Sequence, residues 1–324
     1  DMMGPGIELP AALGTNVPPT NNTDMKTYGW ELQIGWRDQI GDFKYGAKLS
    51  LSDSQSKILR YGNPTGSLSK YVEGELIGNI YGYTTIGIAK TDEEMQQHLA
   101  SLPNGGQSAL GSQWAAGDIM YADLNGDGKI NNGSYTINDM GDMKKIGNST
   151  PRFMTGINLD AAYKGWDLQM FWQGVLKRDW WPGDKNMTFW GVTDGEWWST
   201  SFKEHLDYFR TSENPLGENL NSYYPRPIFN TKNNKSQTRY LQNAAYMRLK
   251  NIQVGYTFPK VWINKLMLQN LRIFVSGENL LTITSLSDTM DPETCGAGYQ
   301  STEQANGTVY PLAKTISFGL SVNF

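Results

Sequence analysis

The chain has 324 residues, of which 19% are charged and 12% aromatic, and its net charge is −4. That balance excludes a nucleic-acid partner bound through phosphate neutralisation. A single cysteine, Cys295, excludes an internal disulfide. No run of 18 apolar residues occurs, so no transmembrane helix is expected. A membrane barrel stays open, because it crosses with short alternating segments of ordinary mean hydropathy. The N-terminal "DMMGPGIELP" has neither the basic start nor the apolar core of a signal peptide.

Seven segments alternate with period two, the signature of strands with one apolar and one polar face. The first spans 28–37, with Trp30, Leu32, Ile34 and Trp36 opposed to Glu31, Gln33, Gly35 and Arg37. The second spans 43–53 and carries Tyr45, Ala47, Leu49 and Leu51 against Lys44, Gly46, Lys48 and Ser50. The third spans 152–163, with Phe153, Ile157 and Leu159; the fourth spans 166–176, with Trp166, Leu168, Met170 and Trp172 against Asp167, Gln169 and Gln173. The fifth runs from about 240 to 258. Its apolar phase flips between Met247, Leu249 and Ile252, Val254, which predicts a bulge near Lys250–Asn251. The sixth spans 271 to about 283, and the seventh is the closing "TISFGLSVNF", 315–324.

The connections alternate in length. Residues 41–42, 164–165 and 259–270 make short turns, whereas 54–151, 177–239 and 284–314 make long loops. Structureless loops beyond about 15 residues are uncommon in compact domains. Short turns at one end and long loops at the other are the habit of outer-membrane barrels. The fold expected is all-β: part of an antiparallel transmembrane β-barrel with long outer loops. Trp30, Ile34, Leu168, Trp172, Ile316 and Leu320 are then expected to face lipid, and Glu31, Gln33, Asp167 and Ser317 the lumen. The competing reading is a large soluble β-sandwich or β-helix, with the same apolar residues packed inside. A closed barrel has no free edge, so the last strand should pair along its length with strands of further polypeptide.

Three motifs could bind something. "DLNGDGKINNGS" matches the first half of a calcium loop. Asp123, Asn125 and Asp127 offer side-chain oxygens at positions 1, 3 and 5, Lys129 its carbonyl at position 7, and Gly128 the sharp turn. Ser134 stands at position 12, where a bidentate acid belongs, so the closing carboxylate must come from downstream. The alternative is a pair of metal-free Asn-Gly and Asp-Gly turns. Trp180, Trp181, Trp190, Trp197, Trp198, Tyr223 and Tyr224 lie in the second long loop, where they can stack on sugar rings or peptide side chains, or pack the loop into a small core. His98 and His205 sit in short helical segments without a nucleophile or ligand pattern, and no acid–base pair suggests an enzyme.

"GDIMYADLNGDGKINNG", "IGNSTPRFMTGINLDAAYKGWDLQMFWQG", "YLQNAAYMRLKNIQVGYTFP" and "LRIFVSGENLLTIT" together resemble the SusC/RagA family of TonB-dependent outer-membrane transporters. The resemblance runs over the whole chain, in order. It implies the C-terminal portion, 1–324, of a 22-stranded plugged barrel, with the plug and the N-terminal strands not in this sequence. It implies import of a nutrient oligomer, glycan or peptide, across the outer membrane, with a SusD-like lipoprotein as lid and the TonB complex as energy source. It also places the closing calcium ligand just before "IGN", at Asp142 or, as the alternative, Asp139, which makes a structural Ca²⁺ and no organic cofactor the expectation. A reading from another class is a non-transporting surface adhesin or glycan-binding β-protein.

Overall fold

The computed structural model describes residues 2–4, 20–295 and 311–324. The N-terminal stretch at 5–19 and the part of the third long loop at 296–310 lie outside the described residues.

Eight strands form one antiparallel sheet. In chain order the described strands are β1 (Met2–Gly4), β2 (Thr20–Ile40), β3 (Phe43–Arg60), β4 (Asn79–Tyr83), β5 (Thr85–Ile88), β6 (Ile119–Tyr121), β7 (Met143–Asn148), β8 (Arg152–Tyr163), β9 (Trp166–Lys177), β10 (Asp179–Trp180), β11 (Gln242–Asn243), β12 (Tyr246–Thr257), β13 (Asn270–Thr284) and β14 (Thr315–Asn323). The large sheet runs β1-β2-β3-β8-β9-β12-β13-β14; the others form two-stranded ribbons in the loops. The sheet has eight strands rather than seven because Met2–Gly4 pairs with Thr20–Thr23, a segment too short to show alternation.

The first hairpin is longer than its alternation suggests. β2 and β3 pair from Ile40–Phe43 up to Asp24–Arg60, whereas β3 pairs with β8 only as far as Ser52. Residues 53–60 therefore rise beyond their neighbour, and the first long connection begins at 61 rather than 54. The polar run Ser52–Lys57 hides this extension, because both faces there are hydrophilic.

Register puts the turns at 41–42 and 164–165 on the same end as 259–269 and Phe324. Phe43 pairs with Tyr163, Tyr163 with Trp166, Trp166 with Tyr256, and Asn270 with Asn323. The long connections leave from the opposite end, where Tyr246 pairs with Thr284 and Val175. The fifth segment carries its bulge at Lys250: Leu249 pairs with Trp172 and Asn251 with Phe171, leaving Lys250 as the extra residue. The bulge returns Leu249 and Ile252 to one face, so an apolar row crosses six strands as Ile34, Leu49, Ile157, Trp172, Leu249 and Leu281.

That face is not covered. Trp30, Leu32, Ile34, Trp36, Val254, Ile273, Val275, Ile316, Phe318 and Leu320 are exposed. The hydrophobic core lies instead among the connections, around Tyr83, Met95, Ile119, Tyr121, Phe189, Trp190, Tyr224 and Tyr240. None of that cluster comes from the long strands of the large sheet. A water-soluble sandwich inverts this arrangement, burying the apolar faces of its sheets.

Candidate functional site

The polar face of the sheet is a wall of charged and amide side chains laid over small residues. Arg37 reaches Asp160 at 3.4 Å, and both lie above Gly46, where a Cβ would strike them. Arg272 pairs with Asp167 and donates to Gln253 at 3.2 Å, above Gly255. Phe274 lies flat over Gly319 in the same way. A hollow on this face is lined by Arg37, Lys48, Asn158, Asp160, Gln169 and Asn251. Glu31, Gln33 and Gln173 line a second. These groups can hydrogen-bond water or a passing polar solute, and they include no nucleophile with a base beside it.

The long connections are locked to each other by buried charge. Asp118 is fully buried and accepts two bonds from Arg226, each 2.8 Å, and one from Asn233 at 2.9 Å. Lys232 meets it at 2.8 Å and donates to the carbonyls of Ser112 and Gln113, so its three N–H donors are all used. The ammonium also lies 4.5 Å from the Trp114 ring centre. Burial pushes the Asp118 carboxyl up, but donors from Arg226, Asn233 and Lys232 outweigh it and hold it below its ordinary value. Burial draws Lys232 down against the pull of Asp118. A second set, Arg248 with Asp291 and Glu293 at 2.8 Å and Lys250 with Glu293 at 3.0 Å, ties the third loop to β12. Sequence reasoning missed both clusters. Arg248 interrupting the "YMRLKN" strand was the available signal; the partners, over a hundred residues apart in the first cluster, had none.

In the "DLNGDGK" segment, Asp123 accepts from the amides of Gly126 and Gly128 at 2.7 and 2.9 Å. The side chain of Asn125 accepts from Asp127 N–H, and that of Asp127 from Lys129 N–H. Asp142 is fully buried and spans the loop, accepting from Leu124 at 2.9 Å and Asn131 at 2.8 Å. Burial, with the Asp123 charge adding, pushes Asp142 up. Burial acts the same way on Asp123, but the Gly128 and Gly126 amides hold it below its ordinary value. Asp139 is occupied elsewhere, accepting from the amide and hydroxyl of Ser134 at 2.8 and 2.6 Å. Among the described residues no three His, Cys, Asp or Glu side chains are gathered as a metal set. The loop's donors are the carboxyls of Asp123, Asp127 and Asp142 plus amide and backbone oxygens, a hard-oxygen set that suits Ca²⁺ over a transition metal.

The aromatic loop residues divide. Trp180, Trp190 and Tyr224 are buried in the loop core, and Trp181 and Tyr223 pack against it. Trp197 and Trp198 stand outside it, 79% and 51% exposed, edge to face with ring centres 5.2 Å apart. His205 is buried: its Nδ1 accepts from Phe202 N–H at 2.9 Å and its Nε2 donates to the Phe189 carbonyl at 3.1 Å. Its ring fills the space above Gly191, whose φ of 52° already favours glycine. His98 bonds Gln107 at 3.1 Å from helix α1 (Asp92–Ala100) and belongs to the same packing.

No protein-family model matches the chain. Two curated relatives come from Formosa agariphila. TonB-dependent receptor P3 is 27% identical over 338 residues, covering 98% of this chain and 30% of the relative. TonB-dependent receptor P39 is 23% identical over 353 residues, covering 98% and 32%. The chain thus spans less than a third of the length of the curated relatives it matches. Among solved structures, that of the RagAB peptide transporter superposes with a TM-score of 0.65 at 18% identity, over 100% of this chain and 32% of that one. The RagAB peptide importer in its open-open state gives 0.62 at 18% identity, over 100% and 31%. At such identity these two likenesses speak for the fold alone.

Proposed function

Because this chain is a homologue of the TonB-dependent receptors, we propose that it supplies adjacent wall strands and outer loops of an outer-membrane transporter. The observation that carries the reading is the exposed apolar face, with the molecule's core displaced into the connections. A bilayer covers such a face, and the opposite polar face then lines a lumen. β14 and most of β2 have no partner on their outer side among the described residues. In lipid, those backbone groups require further strands, so the sheet is part of a larger closed wall.

The transported substrate is a nutrient oligomer, and the peptide transport named for RagAB favours a peptide. A SusD-like surface lipoprotein meets the outer loops, with Trp197 and Trp198 as exposed anchors for it or for the substrate. Transport is gating powered through the TonB complex, without a chemical step on the substrate. Asp123, Asn125, Asp127, the Lys129 carbonyl and Asp142 hold a structural Ca²⁺. Bound there, the ion would neutralise the carboxyls of Asp123, Asp127 and Asp142 and tie the loop; these residues place the oxygens.

The test uses the full-length protein. A barrel requires detergent or lipid for solubility and migrates differently on a gel before and after heating, and uptake of a fluorescent oligopeptide by cells fails when TonB is deleted. A protein soluble without detergent, with no heat-dependent shift, is instead the surface adhesin or glycan-binding module.

A further inference from the structure

The connection at 259–269 differs from the other two short turns. It begins with a helical turn, α2 (Lys260–Ile263), followed by a tighter turn, Asn264–Leu266. Ile263 is buried and pins it to the sheet, while Val261 is 76%, Trp262 60% and Met267 89% exposed. The exposed apolar side continues the apolar face of the sheet through a chain of rings. Trp166 meets Tyr256 at 4.9 Å, Tyr256 meets Phe258 at 5.1 Å, and Phe258 meets Trp262 at 6.3 Å. Met267 ends the turn with φ of 56°, a left-handed position where glycine or asparagine is usual. A large apolar side chain stands there despite the backbone cost.

The charge is one-sided as well. Residues 259–269 contain Lys260 and Lys265 and no acid. At the neighbouring turns Lys164 lies 3.8 Å from Asp42. Among the described residues neither Lys260 nor Lys265 makes an ion pair, and both are exposed. Apolar and indole side chains beside unpaired lysines match a bilayer interface: rings settle at headgroup depth, and ammonium groups meet lipid phosphates.

We propose that 259–269 is an interfacial anchor that lies in the headgroup layer of the leaflet at the short-turn end, where Lys260 and Lys265 bind anionic phospholipid. The inference rests on the reading of the sheet as a membrane wall. Its occupant is phospholipid because the aromatic chain makes the anchor continuous with the lipid-facing surface, and because its charge is uncompensated.

The full-length protein is tested in nanodiscs of zwitterionic phosphatidylcholine, with and without phosphatidylglycerol. In a Cys295→Ser background, Met267→Cys carries a nitroxide, and its relaxation is read against oxygen, which partitions into lipid, and a water-soluble nickel chelate. The expected result is greater accessibility to oxygen than to nickel, increased by phosphatidylglycerol. Lys260→Gln with Lys265→Gln should return that ratio to its zwitterionic value. A nitroxide at Leu320→Cys serves as reference. If Leu320 is in lipid while Met267 is nickel-accessible in both discs, the anchor is wrong and the wall stands. A lipid-embedded Met267 whose ratio ignores phosphatidylglycerol overturns the phospholipid assignment. If Leu320 itself is nickel-accessible, the wall reading fails and the anchor with it.

Discussion

Arg152 and Asp53 form a two-pronged ion pair where the first long connection returns to the sheet. The guanidinium donates through Nε and one terminal nitrogen to the two carboxylate oxygens, and the carboxylate also faces Phe153 N–H at 3.4 Å. The pair joins the overhanging top of β3 to the first residue of β8, and Asp53 is almost fully buried.

Removing one partner of a buried pair leaves the other charge stranded, at a cost of about 3–5 kcal/mol. Asp53→Ala in the full-length protein should therefore loosen the return of the loop. Amides of 143–152 should lose hydrogen-exchange protection, while those of β12 and β13 keep theirs. Unchanged exchange in 143–152 would mean that the pair is incidental.

Asp118 and Lys232 should be strongly coupled. Asp118→Asn and Lys232→Met should each destabilise the loop assembly by about 3–5 kcal/mol. The double variant should cost less than the sum, because it removes both buried charges. A double-mutant cycle by denaturant unfolding measures the difference, and strict additivity would show that the two do not act as a pair.

His205 makes the second outer loop sensitive to acid. Burial holds its imidazole below the ordinary value, and Nδ1 must stay unprotonated to accept from Phe202. The facing groups are Glu204, whose charge favours the proton, the Phe189 carbonyl, and the Tyr224 ring at 5.4 Å. A depressed folded value contributes stability that is fully present above the unfolded pKa of about 6.5 and is lost as pH falls through the folded value. Tryptophan fluorescence of the loop core should change reversibly as the pH falls below the unfolded value of about 6.5. His205→Gln should remove that transition, and its persistence would assign the change to another group.

The Asp123–Asp142 pair predicts calcium dependence. A ligand present at a hundred times its dissociation constant stabilises by about 2.7 kcal/mol. Added calcium should raise the melting temperature of the full-length protein, and Asp142→Asn should abolish the effect. Asp139→Asn should leave it intact, because Asp139 closes a separate turn with Ser134. No calorimetric heat with calcium would leave the loop a metal-free turn.

The strands were legible because alternation is local: Trp30 to Trp36 and Ile316 to Phe324 declare their faces without reference to the rest of the chain. The bulge at Lys250 was legible for the same reason, as a slip of phase between Leu249 and Ile252. The overhang of β3 was not, since Ser52, Ser54 and Ser56 are polar whichever way they point. Nor could alternation say whether Ile34 meets lipid or a second sheet; the structure leaves it exposed, beside a core built elsewhere. In the loops, Trp190 and Trp197 read alike as tryptophans. Their separation into core and surface depends on Tyr224 and Tyr240, which arrive more than thirty residues later in the chain and pack on Trp190.

If this sheet is a membrane wall, lipid covers its apolar face. A nitroxide scan of β14 in the full-length protein in nanodiscs, one position at a time from Thr315 to Asn323, tests it most directly. Accessibility should alternate with period two: Ile316, Phe318, Leu320 and Val322 open to oxygen in the lipid, Thr315, Ser317, Gly319 and Ser321 open to the nickel chelate in water. Equal nickel accessibility on both faces, or protection of the apolar face from both reagents, would contradict it.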